Sequence, residues 1–147
     1  MTKLTVLATI AILTPFTASA ENTPGSHFIE NWDLDENGTV SLEEITERRG
    51  DIFFMFDQDE NGSLNFEEYV LFDETRAADM ENNAGGGHGQ GGGRMQEGLT
   101  LRFNDINDDG EVSKAEFLER SVAWVTMVDR DGDSAITAAD FGSRSNQ

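Results

Sequence analysis

The stretch Asp57-Gln58-Asp59-Glu60-Asn61-Gly62-Ser63-Leu64-Asn65-Phe66-Glu67-Glu68 decides the reading of this chain. Oxygen-bearing side chains stand at positions 1, 3 and 5 of the twelve, glycine at 6 and glutamate at 12. Each position has a physical task. Oxygens at 1, 3 and 5 converge on a hard cation, and glycine at 6 permits the sharp turn between them. The carbonyl of position 7 adds a backbone oxygen, position 9 often acts through water, and the position-12 glutamate closes the shell with two oxygens. Leu64, at position 8, is apolar and suits a short strand in which two such loops pair.

The same layout recurs three more times, and position 8 is then Val40, Val112 and Ile136. The candidate metal ligands of the first loop are Asp33, Asp35, Asn37, Thr39 through its carbonyl, Ser41 and Glu44. Those of the second are Asp57, Asp59, Asn61, Ser63, Asn65 and Glu68. The third offers Asp105, Asn107, Asp109, Glu111 through its carbonyl, Ser113 and Glu116, and the fourth Asp129, Asp131, Asp133, Ala135 through its carbonyl, Thr137 and Asp140. The fourth loop departs twice, with Ser134 in place of the glycine and Asp140 in place of the closing glutamate. A left-handed backbone at Ser134 costs roughly 1–2 kcal/mol. Asp140 is one methylene shorter than glutamate. The fourth loop is therefore expected to be the weakest or most altered site, although it carries four acidic ligands where the others carry three.

The first three loops match the pattern D-x-[DN]-x-[DN]-G-x5-E at every defined position, and the chain resembles the EF-hand superfamily. The resemblance covers nearly all of the sequence after residue 20. It implies an all-α fold with four helix-flanked loops, and Ca²⁺ as the cofactor, up to four ions with the fourth held more weakly. Thirteen of the 29 acids occupy ligand positions. Like charges so crowded repel unless a cation sits among them, so metal binding is expected to be coupled to folding.

Spacing predicts which loops pair. The first two loops begin at 33 and 57 and the last two at 105 and 129, a separation of 24 residues in each half. One helix must then leave one loop and enter the next. Lys114 to Val128 has no glycine or proline, and Leu118, Val122, Val125 and Val128 recur at helical spacing. Leu42 to Phe56 is the equivalent rod, weakened by Gly50. Fifteen residues make a rod of roughly 22 Å, so the loops at its ends cannot reach each other. Pairing is expected between halves, the first loop with the fourth and the second with the third, through short β-bridges. The close spacing looks like lanmodulin, a family of secreted bacterial proteins that bind lanthanides. That family carries proline at position 2 and aspartate at position 9. This chain has Leu34, Gln58, Ile106 and Arg130 at position 2, and Ser41, Asn65, Ser113 and Thr137 at position 9.

Residues 1–20 read as a secretory signal peptide: Lys3, an uncharged apolar run from Leu4 to Phe16, then Ala18-Ser19-Ala20 before Glu21. The run is shorter than the ~20 apolar residues a span needs. Residues 21–81 form the first half, 82–93 a glycine-rich linker, and 94–147 the second half. Phe66 to Met80 is expected to be the helix leaving the second loop. Met95, Leu99 and Phe103 fall at i, i+4 and i+8, an entering helix for the third. Phe28, Trp32, Phe53, Phe54, Phe56, Phe66, Tyr69, Phe72, Phe103, Phe117, Trp124 and Phe141 are expected to pack as a core between helices. Met55, Met80, Met95 and Met127 are scattered, which argues against an adaptable partner groove.

With 29 Asp and Glu against 10 Lys and Arg, the formal charge is -19, which disfavours nucleic-acid backbones and anionic membranes. The absence of cysteine excludes disulfides, thiolate zinc sites and thiol catalysis. No nucleophile–base pair or phosphate loop is present, so no enzyme is expected. The expected function is a secreted or periplasmic calcium-binding protein, either a Ca²⁺-stabilised module for a protein partner or a cation buffer. The alternative is a lanthanide- or trivalent-ion-binding protein of the lanmodulin type.

Overall fold

The position-9 residues start the helices that leave the loops. Ser41 caps α2 (Leu42–Phe56) and Ser113 caps α6 (Lys114–Val128), each accepting from the backbone of the third helical residue, Glu44 or Glu116. That glutamate reaches back to the cap's own N–H, a reciprocal pairing that satisfies two donors at the helix start. Asn65 does the same for α3 (Phe66–Asn82), accepting from Glu68 N at 3.1 Å. Both fifteen-residue rods thus have the bounds the sequence predicts, and α2 runs unbroken through Gly50.

The computed structural model describes residues 24–82 and 92–142. The expected signal peptide at 1–20 and the linker interior at 83–91 lie outside the described residues, as do residues 143–147. Asn82 ends α3, and Gly92 and Gly93 open α4 (Gly92–Glu97), so helix extends into both margins of the segment expected as linker. The fold is all-α but for a two-stranded sheet. It begins with α1 (Ser26–Trp32) and includes α5 (Leu101–Asn104) and a 3₁₀ turn at Ala138–Asp140. No described helix is long and apolar enough to cross a membrane.

Pairing runs between the halves. Strand β1 (Ser63–Leu64) lies antiparallel to β2 (Val112–Ser113), with Leu64 opposite Val112. Val40 and Ile136 form a separate antiparallel bridge, exchanging N–H···O bonds of 2.8 and 2.9 Å. All four position-8 side chains are fully buried. The first segment therefore faces the fourth and the second faces the third, because each rod holds the two segments of its own half apart.

The core lies where α2 packs against α6. Phe53 and Phe72 meet Phe117 at ring-centroid distances of 5.9 and 6.3 Å, and Trp32 meets Trp124 edge-on at 4.8 Å. Most of the aromatic residues expected in the core are there, but Phe54 and Phe66 are largely exposed, as is Val122. Phe54 follows Phe53 in the same helix, and adjacent helical residues point about 100° apart, so both cannot face α6.

The continuous helix expected through Met95, Leu99 and Phe103 is broken into α4 and α5 by the turn at Gly98–Leu99. Gly98 is buried against Trp124, whose indole donates to the Met95 carbonyl at 3.1 Å. Any Cβ at 98 would fall inside the Trp124 ring. Thr100 then caps α5, accepting from Phe103 N.

Two glycine substitutions test this packing in opposite directions. Gly98→Ala is expected to cost about 1–3 kcal/mol through overpacking. Gly50→Ala, where an added Cβ meets nothing within 4 Å, is expected to gain about 1 kcal/mol of helix propensity. Denaturant unfolding followed by tryptophan fluorescence measures both.

Candidate metal sites

All four acidic loops share one hydrogen-bond scheme, built from short carboxylates and the N–H groups of a tight turn. The position-1 aspartate accepts from position 6 in every loop: Asp33 from Gly38 N at 2.7 Å, Asp57 from Gly62 N at 3.0 Å, Asp105 from Gly110 N at 3.0 Å and Asp129 from Ser134 N at 2.8 Å. The side chain at position 5 accepts from the N–H of position 7, as Asn37 does from Thr39 N at 2.8 Å and Asp133 from Ala135 N at 2.9 Å. Asn61 and Asp109 accept from Ser63 and Glu111 in the same way.

The position-12 carboxylate spans each loop. One Glu44 oxygen accepts from Leu34 N at 2.7 Å and the other from Ser41 N at 2.8 Å. Glu68 bridges Gln58 N and Asn65 N, and Glu116 bridges Ile106 N and Ser113 N. Asp140 does so too, taking Arg130 N at 2.7 Å and Thr137 N at 2.8 Å. A side chain one methylene shorter makes both bonds because a 3₁₀ turn, not an α-helix, follows Thr137. The Arg130 guanidinium closes that turn by donating to the carbonyls of Asp140 and Gly142.

Three trios each place a carboxylate oxygen from every member within 4.8 Å of the others: Asp33, Asp35 and Glu44; Asp57, Asp59 and Glu68; Asp129, Asp131 and Asp133. Among the described residues no such trio forms in the loop Asp105–Glu116, where Asn107 takes the third position. Asp140 is not a member of the fourth-loop trio. The side chains of Ser41, Ser113 and Thr137, proposed from sequence as ligands, serve as helix caps, each accepting from a backbone N–H of the turn that follows.

Ser134 is less costly than the sequence suggests. It does adopt a left-handed backbone, φ 71°. The other three loops also hold one such non-glycine residue, at position 4: Glu36, Glu60 and Asp108, with φ of 58, 55 and 58°. In the fourth loop position 4 is Gly132, φ 80°. Glycine and non-glycine have exchanged places, so each loop carries one strained residue and the strain argument against the fourth loop falls away.

Charge is managed by hydrogen bonds. Burial alone would raise the Glu44 carboxyl, but bonds from Ser41, Leu34 and Asp35 outweigh it and hold it below the ordinary 4.5. Glu116 is lowered in the same way by Ser113, Ile106 and Asn107. Asp129 is lowered, against burial, by the N–H groups of Gly132, Ser134 and Asp133. Asp131 is raised, first by burial, then by the repulsion of Asp133, Asp140 and Asp129.

Sequence reasoning missed two features. Met55, Met80 and Met95, scattered in sequence, meet on one apolar groove of about 410 Å³ with Trp32, Ile52 and Phe72. Arg49 is completely buried. Its only signal was a charge on the inward stripe of α2, one turn from Ile45 and Phe53.

Gly132→Ala puts a second non-glycine residue in the left-handed region of the fourth loop and is expected to cost about 1–2 kcal/mol, read by chemical denaturation without metal. Acid has a defined sign. Ionised Glu44 and Glu116 stabilise the fold above their ordinary value of 4.5, and this stability is lost as pH falls from there toward their lowered folded values. Asp131 acts oppositely, since acid relieves its repulsion. The melting temperature of chelator-treated protein is expected to fall below pH 4.5, less steeply in Glu44→Gln than in the unaltered chain. A scan against protein-family models finds no match to this chain, and a search of curated proteins finds no similar sequence.

Proposed function

We propose that this is a secreted or periplasmic calcium-binding protein of the EF-hand superfamily, without catalytic activity. The observation that carries the reading is the convergence of three carboxylate trios in loops that share one hydrogen-bond scheme. Oxygen donors without nitrogen or sulfur suit a hard cation such as Ca²⁺. The closing residues Glu44, Glu68 and Glu116 each hold two oxygens at the start of a helix, so ion binding and helix position are linked. In the fourth loop the shorter Asp140 stands where a glutamate closes the others, and on that ground we place this site weakest. The signal-type N-terminus supports export.

Within this reading the groove lined by Met55, Met80 and Met95 supports a Ca²⁺-stabilised module for a protein partner over a simple cation buffer. A partner retained on the protein in Ca²⁺ and released by chelator is the result expected. The 24-residue loop spacing supports a second reading, capture of trivalent ions as in lanmodulin. The residues at positions 2 and 9 favour calcium.

Calcium is expected to raise the melting temperature and the helical circular dichroism of chelator-treated protein. Calorimetric titration is expected to give three sites of similar strength and a weaker fourth. Glu68→Gln weakens its site far more than Asn65→Ala. In competition, La³⁺ is expected to show only the modest preference common to acidic oxygen sites, and a preference near a millionfold replaces calcium by the trivalent reading.

A further inference from the structure

Arg49 is the most heavily buried cation of the described residues, and none of their carboxylates forms an ion pair with it. Its Nε donates to the Phe117 carbonyl at 3.0 Å, and one terminal nitrogen donates to the Gly98 carbonyl at 3.1 Å. The other terminal nitrogen reaches the Asn104 side-chain oxygen and the Phe117 carbonyl, both at 2.5 Å. Its guanidinium carbon lies 4.0 Å from the Phe117 ring centroid and 5.2 Å from that of Trp124. Burial pushes its pKa down to about 10, which leaves it charged at neutral pH. A buried charge without a counter-ion is costly unless hydrogen bonds satisfy its donors.

Two of its three acceptor residues flank a single loop. Asn104 is the residue before Asp105, and Phe117 is the residue after Glu116. Arg49 stands in α2, in the other half, and grips both ends of the loop Asp105–Glu116. Asn104 is itself fixed, donating to the Tyr69 hydroxyl at 3.1 Å and the Thr100 carbonyl at 2.8 Å. This is also the loop in which no three carboxylates converge among the described residues.

We propose that Arg49 is a positioning residue for the loop Asp105–Glu116, making the ion affinity of that loop depend on the opposite half of the chain. The assignment rests on the metal-binding reading above. A planar guanidinium with five donors spans both ends of the loop at once. A lysine ammonium, a single point of charge, does not. Support of this kind, one shell out from the ligands, commonly governs affinity.

The test is a Ca²⁺ titration of the full chain followed by site-resolved NMR, with the amides of Gly38, Gly62, Gly110 and Ser134 reporting the four loops. In Arg49→Met and Arg49→Lys, the dissociation constant read at Gly110 is expected to rise by about tenfold or more, while Gly38 and Ser134 stay close to their unaltered values. Equal weakening at all four reporters would show that Arg49 only holds the halves together, and this or an unchanged Gly110 overturns the proposal. Asn104→Ala, which removes the grip at the entering end alone, is read by the same criteria should the Arg49 variants not fold. If no reporter in the unaltered protein responds to Ca²⁺, the metal reading itself fails and the assignment fails with it.

Discussion

The structure depends on the stiffness of two fifteen-residue helices. Each of α2 and α6 leaves one acidic loop and enters the next, and an α-helix of that length holds its ends roughly 22 Å apart. Loops on one rod cannot share a β-bridge. Laying the rods side by side and pairing across them satisfies the N–H and C=O groups at the loop centres. That brings Leu64 to Val112 and Val40 to Ile136, buries all four side chains, and places the core between α2 and α6.

Within each loop one carboxylate serves two purposes. Glu44 and Glu116 complete the caps of α2 and α6, and in doing so tie the end of the loop back to its beginning through Leu34 and Ile106. Local capping and loop closure are a single interaction, which is why the loops hold their shape through backbone N–H groups gathered round the acids. The repulsion that remains is concentrated where acids stand close together, as at Asp131.

The halves are joined by contacts of another kind. Trp124, which packs against Gly98 of its own half, meets Trp32 of the other, and Arg49 spans from α2 to both flanks of the third loop. None of these is local. The break between α4 and α5 falls at this same contact, where the bare Gly98 lies against the Trp124 ring.

The sequence alone determined the loop boundaries, both rods and the exchange of pairing between halves. These follow from short-range rules: capping residues at fixed offsets, helical periodicity, and the length of a rod. The convergence of Asp33, Asp35 and Glu44, and of Asp57, Asp59 and Glu68, was legible too, since it is set by spacing within twelve residues. Tertiary structure decided what depends on neighbours distant in sequence. Ser134 looked strained until Gly132 was seen to take the position that Glu36, Glu60 and Asp108 fill elsewhere. Phe54 and Phe66 looked like core residues and are exposed, because a helix presents only one face to its partner. Three scattered methionines became one groove, and Arg49 became a buried clamp, because side chains far apart in the chain meet only when the two halves pack.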